Sequence, residues 1–264
     1  MDNPICVTCG MQYAAPRSDC PICEDERQYV PPSGQQWTDF ATLQREHEAL
    51  IKPEGDRITG IACTPKFGIG QRALFVETDS GNFLWDLSAY LDDTIADHIT
   101  ARGGITGIAI SHPHYYTTCV EWARTFDVPV YLHEGDRQWI GRPDDRIELW
   151  SGQTKQVGDG LTLVNLGVHF TGGTVLHWSG GERGRGALLS GDIVQVIPDR
   201  KFVAFMYSYP NLIPERPPVV RHAAEILAGY RFEAIYGAWW DAVVREDGYD
   251  VVQRSAKRYL EFVS

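Results

Sequence analysis

The stretch Ile110-Ser111-His112-Pro113-His114-Tyr115-Tyr116-Thr117-Thr118 begins where an apolar run at 105–110 ends. Such a run is typical of a strand buried on both faces. In layered α/β folds, functional side chains commonly follow the ends of such strands. Pro113 favours an extended conformation at His112, and residues two apart in an extended chain project to the same side. We therefore expect the imidazoles of His112 and His114 to converge on one point, as metal ligands do. Taken alone, the pair is equally typical of two neighbouring surface histidines.

A third histidine and an aspartate follow later in the chain. Gly167-Val168-His169-Phe170-Thr171-Gly172-Gly173-Thr174 places His169 in a glycine-rich loop, and Leu188-Leu189-Ser190-Gly191-Asp192 places Asp192 after an apolar strand. This order of motifs resembles the metallo-β-lactamase-fold metallo-hydrolases. With Cys6, Cys9, Cys20 and Cys23 near the N-terminus, the chain also resembles a branch of them in which a cysteine knuckle precedes the fold. The resemblance covers about 58–263. It implies an α/β protein, an αββα sandwich of two sheets covered by helices, with a metal centre.

The chain departs from the usual motif of that family at the second metal. The family motif continues His-x-His-x-Asp-His, whereas this chain has Tyr116 and Thr117 at the last two positions. The stretch 235–241 carries tryptophan where the family has a late histidine. The resemblance therefore implies a single ion, held by His112, His114, His169 and Asp192. Imidazole ligands with one carboxylate suit zinc or iron. With one coordination position open, such an ion could lower the pKa of a bound water to about 7.

Four cysteines form two closely spaced pairs near the N-terminus. Cys6-Val7-Thr8-Cys9-Gly10 and Cys20-Pro21-Ile22-Cys23 can each place two thiolates on one side of a tight turn, which together complete a tetrahedral sulfur cage. A closed four-sulfur site has no open position, so we expect a structural zinc, with iron as the alternative metal. Two unrelated redox pairs are the alternative interpretation. Cys63 and Cys119 are expected to be small buried residues.

Three zones are expected along the 264 residues. Residues 1–30 form the zinc-ribbon-like knuckle, 31–56 a linker with a short helix from Asp39 to Ala49, and 57–264 the metallo-β-lactamase-like domain. Further elements follow from the apolar periodicity. Helices are expected at 95–102, 119–126, 219–229 and 251–263. Strands are expected at 58–64, 73–78, 83–87, 105–110, 128–132, 161–166, 174–178, 187–189 and 232–236.

Charge and composition limit the partners. The net charge is −11 and no run of Lys or Arg occurs, which argues against nucleic-acid and anionic-membrane partners. No apolar stretch is long enough to span a bilayer, and Met1-Asp2-Asn3-Pro4 lacks the features of a secretory signal. Cysteines in metal-type pairs fit a reducing compartment. We therefore expect a cytoplasmic protein with a small-molecule substrate; the sequence leaves open whether it forms a homo-oligomer.

Aromatic residues are the candidates for the rest of the site. Tyr115 and Tyr116 could orient a substrate or donate a proton as catalytic residues beside Asp192, although aromatic packing is an equal alternative. Trp239 and Trp240 are expected to close one wall. In the loop 206–211, Tyr209 and Asn211 are expected to bind substrate. His133 could enter the pocket, but a hydrogen-bonded structural role is favoured, and we expect His177 to pack in a strand.

Three functions remain open from the sequence. The favoured hypothesis is a metal-dependent hydrolase of a small molecule that uses one active-site metal to activate water. The alternatives are a mononuclear iron enzyme of the oxygenase type, oxidising a thiol or a similar substrate, and a binding protein that retained the fold without catalysis.

Overall fold

The computed structural model describes residues 3–263. Met1, Asp2 and Ser264 lie outside the described residues, and Met1 and Asp2 belong to the N-terminal stretch that was considered as a secretory signal. The strands in chain order are β1 (Ile5–Cys6), β2 (Trp37–Thr38), β3 (Glu48–Gly55), β4 (Ile58–Thr64), β5 (Ala73–Val76), β6 (Phe83–Trp85), β7 (Ile108–Ala109), β8 (Val130–His133), β9 (Ile147–Trp150), β10 (Thr154–Gly158), β11 (Leu161–Asn165), β12 (Thr174–Trp178), β13 (Ala187–Gly191), β14 (Gln195–Val196), β15 (Val203–Ala204), β16 (Met206–Ser208), β17 (Ile213–Pro214), β18 (Ala234–Gly237) and β19 (Val243–Val244). The helices are α1 (Pro21–Glu24), α2 (Phe40–Glu46), α3 (Asp93–Thr100), α4 (Cys119–Phe126), α5 (Gly181–Gly184), α6 (Pro217–Leu227) and α7 (Gly248–Val263), with 3₁₀ turns at Pro113–Tyr115 and Glu134–Trp139.

Two large mixed sheets organise the chain. The first has the order β3-β4-β5-β6-β7-β8-β9 and changes from antiparallel to parallel pairing at β6. Parallel neighbours need long crossovers, which α3 and α4 supply here. The second has the order β10-β11-β12-β13-β18-β19, with β13 and β18 parallel.

Three apolar clusters show how the layers stack. One cluster combines side chains of both sheets, such as Trp85 of the first and Leu189 of the second, so the sheets face each other. Another joins the first sheet to α3, α4 and the cysteine segment. The third joins the second sheet to α6 and α7. The expected αββα sandwich is therefore confirmed. Among residues 3–263, no helix has both the length and the apolar composition that crossing a membrane requires.

Most predicted elements are present, with shifts at their ends. The bounds of β4, β12 and α4 match the prediction. The strand expected at 105–110 is paired only at Ile108–Ala109, although backbone hydrogen bonds to its neighbours extend beyond it. The stretch expected as linker and helix is corrected further. α2 ends at Glu46, and the chain continues as β3, the edge strand of the first sheet, because its pairing with β4 outweighs local helical preference.

The cysteine segment packs directly on the sandwich. The backbone N–H of Gln12 donates to the carbonyl of Thr117, 3.1 Å away and three residues beyond His114. Gly68 approaches the Cys9–Gly10 backbone so closely that a Cβ there would lie 3.2 Å from it, and its φ of +59° also favours glycine. These contacts hold the knuckle beside the loop that carries His112 and His114.

Candidate metal centre

His112 and His114 converge by a route that differs from the predicted one. His112 is extended, with φ −169° and ψ 171°, as expected before a proline. The next three residues form a 3₁₀ turn, so the chain between the histidines is not extended throughout as predicted. The turn nevertheless brings the two ring centroids to 5.0 Å. The predicted convergence is confirmed, and its predicted cause is corrected.

His169 completes a group of three buried histidines. Its Nδ1 lies 2.7 Å from the carbonyl oxygen of Tyr207. Because a carbonyl only accepts, Nδ1 carries the proton and Nε2 keeps a lone pair. That Nε2 lies 3.2 Å from Nδ1 of His114. One ligand atom of each histidine lies within 4.8 Å of the others.

Asp192 lies beside this group at the end of β13. Its Oδ1 is 3.4 Å from Nε2 of His112. The opposite nitrogen of His112, Nδ1, lies 2.9 Å from the hydroxyl of Ser111, which orients the ring. The carboxylate therefore faces the same space as the imidazole lone pairs.

The unpartnered atoms of this group test whether a metal ion fits. Among the described residues, three buried polar atoms that face this space have no hydrogen-bond partner: Nε2 of His112, Oδ1 of Asp192 and the hydroxyl of Tyr115. His114 faces it with Nδ1, beside Nε2 of His169. Leaving such atoms unpaired is costly. Ligand atoms around a tetrahedral zinc ion are about 3.3 Å apart, given zinc–nitrogen bonds of about 2.0 Å. The observed 3.2 and 3.4 Å separations agree, so the residues fit one zinc or iron ion.

Burial controls the protonation of the group. It lowers the pKa of His112 and His114 well below the ordinary value and that of His169 to about 4. All three imidazoles are therefore neutral near pH 7, the state in which imidazole binds metals. Burial also raises the pKa of Asp192 to about 7. A bound cation would favour the charged form of Asp192, which would then join the three imidazoles as a ligand.

The two candidate tyrosines separate. The ring of Tyr115 lies 4.3 Å from that of His112, and its hydroxyl faces Asp192. Tyr116 instead lines a small internal gap with Met11 and Gln12 of the knuckle. Successive residues of a 3₁₀ turn point about 120° apart, so only one of the pair can face the metal centre. Tyr116, predicted as a catalytic residue, therefore lies at the contact with the knuckle and not beside the histidine group.

A cavity of about 240 Å³ opens onto the group. Its inner wall includes His114, Asp192, Tyr209 and Trp239. Trp240, predicted beside Trp239, packs instead over Gly60, with Lys52 and Arg72 above its ring. The two neighbouring side chains point to opposite sides, and of the two only Trp239 lines this cavity.

The loop 206–211 reaches the site through Tyr209. The Tyr209 hydroxyl donates to the backbone carbonyl of Asp192, and its ring lies 5.5 Å from that of His169. Asn211 was expected to bind substrate, but its Nδ2 donates to the carbonyls of Glu26 at 2.8 Å and Gln28 at 3.4 Å. Asn211 therefore holds the knuckle against the loop.

The knuckle supplies the outer wall, which the sequence analysis missed. Thr8, Arg27, Gln28 and Tyr29 all line the cavity. Nη1 of Arg27 donates to the carbonyl of His169 at 3.2 Å, and its guanidinium lies 3.8 Å from the centroid of the Phe170 ring. Arg27 and His169 are 142 positions apart, so no local pattern signalled the contact.

The four knuckle sulfurs have the geometry of a closed site. Sγ of Cys6 lies 3.6 Å from that of Cys23, and Sγ of Cys9 lies 3.6 Å from that of Cys20. Zinc–sulfur bonds of about 2.3 Å place sulfurs about 3.8 Å apart in a tetrahedron. All four are buried, as are Cys63 and Cys119.

Two histidines outside the group have structural roles, as expected. Nε2 of His133 lies 3.2 Å from the carbonyl of Gly152, and its ring packs on Trp150. Nε2 of His177 lies 2.8 Å from the carbonyl of Arg231.

Comparison with known proteins places this geometry in context. No protein-family model matches the chain. The uncharacterized protein YmaE of Bacillus subtilis (strain 168) is 46% identical over 262 residues, which cover 97% of this chain and 95% of YmaE.

Solved structures share the fold at low identity. The TMB-1 structure has a TM-score of 0.60 at 13% identity, covering 80% of this chain and 98% of its own. The DIM-1 metallo-β-lactamase exposed to ceftazidime has a TM-score of 0.59 at 13% identity, with the same coverage. FIM-1 from Pseudomonas aeruginosa, in its mono-zinc form, has a TM-score of 0.55 at 14% identity, covering 80% of this chain and 96% of its own. The chain thus belongs to the family of YmaE and has the metallo-β-lactamase fold, with a four-cysteine knuckle at its N-terminus.

Proposed function

We propose that this protein is a metal-dependent hydrolase that acts on a small molecule with a single active-site metal. One observation carries the proposal: three buried histidines and Asp192, with unpartnered polar atoms among them, converge beside a cavity that His114 and Asp192 line. The donor set and its spacing suit one zinc or iron ion. The likeness to metallo-β-lactamase structures supports the same class of chemistry.

The residues at the second-metal positions favour one ion. Tyr116 packs against the knuckle, and Thr117 is buried with a φ of +38°. Neither offers the carboxylate or imidazole of the family motif. His112, His114, His169 and Asp192 would therefore hold one ion.

When bound, that ion would polarise a substrate carbonyl and lower the pKa of a coordinated water to about 7. The chain's own residues would orient the reactants. Burial holds the pKa of Tyr115 well above its usual value, so its hydroxyl stays protonated and faces the Asp192 carboxylate. Tyr209 fixes the backbone of Asp192, and Trp239 excludes water from one side of the cavity.

Elemental analysis tests the proposal directly. We expect two metal equivalents in the wild type, one in His112→Ala/His114→Ala, and two in the control His222→Ala, whose side chain is exposed on α6. Hydrolysis of an ester, lactone or thioester panel should require the equivalent that the double variant loses. A wild type with one equivalent that the double variant retains would contradict the proposal. Iron with substrate-dependent oxygen uptake would replace it with the oxygenase-type alternative.

A further inference from the structure

Exposed apolar side chains lie in two segments that also contribute residues to the cavity wall. Among residues 3–263, the large hydrophobic side chains exposed to solvent are Tyr29, Val30, Leu212, Ile213, Phe262 and Val263. Four of these six fall in two short segments, which we call the apolar rim: Tyr29, Val30, Leu212 and Ile213. Phe262 and Val263 end α7, on the outer helical layer.

Hydrogen bonds join the two segments of the apolar rim. Asn211, directly before Leu212, donates from Nδ2 to the carbonyl of Gln28, directly before Tyr29, at 3.4 Å. The same Nδ2 donates to the carbonyl of Glu26 at 2.8 Å. The two segments of the rim are therefore neighbours in space, although they are more than 180 positions apart in the sequence.

The apolar rim is continuous with the cavity. Tyr29 belongs both to the rim and to the cavity wall, and so connects them. Tyr209 and Pro210 also line the cavity, and the N–H of Leu212 donates to the carbonyl of Tyr209 at 3.2 Å within the same turn. A molecule that leaves the cavity on this side meets the rim.

Leu212 has a backbone conformation that leucine seldom adopts. Its φ is +55°, in the left-handed region that favours glycine or asparagine. Its side chain is 79% exposed, so packing within the chain does not account for a leucine at this position. A ligand that covers the side chain would account for it.

The volume of the cavity points to the kind of ligand. At about 240 Å³ it is smaller than the roughly 300–1,000 Å³ of sites that enclose a drug-sized molecule. We propose that the substrate is amphiphilic, with a small hydrolysable head in the cavity and an apolar arm on the apolar rim. This inference rests on the proposed hydrolase function and adds the substrate class to it.

Binding of straight-chain alkyl hydroxamates, from acetohydroxamate to octanohydroxamate, tests the inference without turnover. The hydroxamate head binds an active-site metal, and the alkyl chain reports on the rim. Full burial of one methylene corresponds to about a fourfold gain in affinity. Because an exposed surface buries only part of each methylene, we expect the affinity to rise about twofold per added methylene. Calorimetry on the metal-loaded protein measures this affinity.

Two variants assign any gain to the rim. In Leu212→Asn, which keeps a residue suited to positive φ, the gain from acetohydroxamate to octanohydroxamate should fall at least about threefold. The control Phe262→Ser removes another exposed apolar side chain from α7 and should keep the full gain. Acetohydroxamate itself should bind equally to all three proteins.

Two outcomes overturn the inference. If acetohydroxamate binds but chain length has no effect in the wild type, the substrate has no apolar arm, while the hydrolase proposal stands. If the wild type is a dimer that dissociates in Leu212→Asn, the rim is covered by a second copy of the chain and not by substrate. If the histidine group binds no metal, elemental analysis of the wild type shows it. Failure of the hydrolase proposal is therefore distinguished from failure of this inference.

Discussion

Arg27 of the knuckle donates a hydrogen bond from Nη1 to the carbonyl oxygen of His169, 3.2 Å away. Asp25 holds the same guanidinium through two contacts, at 2.6 and 2.9 Å. The guanidinium also lies over Phe170, whose ring centroid is 4.9 Å from those of both His114 and His169. One arginine of the cysteine segment therefore contacts the backbone of a histidine in the metal group and the aromatic ring that packs on two of its histidines.

Arg27→Met should weaken metal binding at the histidine group. Removing groups that orient metal ligands typically costs about 10- to 100-fold in affinity, and Arg27 supports both the His169 backbone and the Phe170 ring. Competition with a chromophoric chelator measures the affinity. Arg17→Met is the matched control, because Arg17 pairs with Asp19 and lies over Tyr13 in the same knuckle. Equal affinities in the two variants would contradict the connection.

Ser111→Ala should have a similar effect through His112. The change removes the hydroxyl 2.9 Å from Nδ1 of His112 and leaves the ring free to turn away from Asp192. We expect roughly a tenfold loss of metal affinity. Ser255→Ala removes another buried hydroxyl, bonded within α7 and to Val203, and should lower stability without changing that affinity. An unchanged affinity in Ser111→Ala would show that Ser111 does not orient the ligand.

Cys20→Ser should release the knuckle metal and destabilise the protein. Loss of a structural metal is among the changes that cost more than about 4 kcal/mol, which corresponds to a decrease of roughly 10 °C in the melting temperature. Elemental analysis and thermal unfolding measure the two effects. Cys63→Ser, at a buried cysteine outside the group of four, should keep both metal equivalents. Retention of both equivalents in Cys20→Ser would exclude the four-sulfur site.

His177 should make stability depend on pH. Burial lowers its pKa below the ordinary value, although the hydrogen bond to the Arg231 carbonyl opposes this. The unfolded chain therefore takes up the proton at a higher pH than the folded chain, so stability is lost as pH falls below about 6.5. The fall in the urea midpoint from about pH 7.5 to about pH 5.5 should be smaller in His177→Gln than in the wild type. The exposed His222→Gln should behave as the wild type, and an equal fall in all three proteins would contradict the role of His177.

Local patterns in the sequence were enough for the elements and the ligand types. Apolar periodicity indicated α4 and β12, and the extended conformation at His112 followed from Pro113. The pairing of β3 could not be predicted, because it depends on a neighbouring strand and not on local preference. The directions of side chains that follow a strand could not be predicted either: Tyr116 points to the knuckle and Trp240 to Gly60.

The sequence by itself determined which residues are candidate metal ligands and that they fall into two groups: four cysteines in closely spaced pairs, and three histidines with Asp192 beside apolar strands. Only the tertiary structure decided that the knuckle is a wall of the histidine site. Arg27 contacts His169, and Asn211 contacts Gln28, across 142 and 183 positions. Such contacts form because the packed layers bring distant segments together, and residue spacing along the chain carries no record of them.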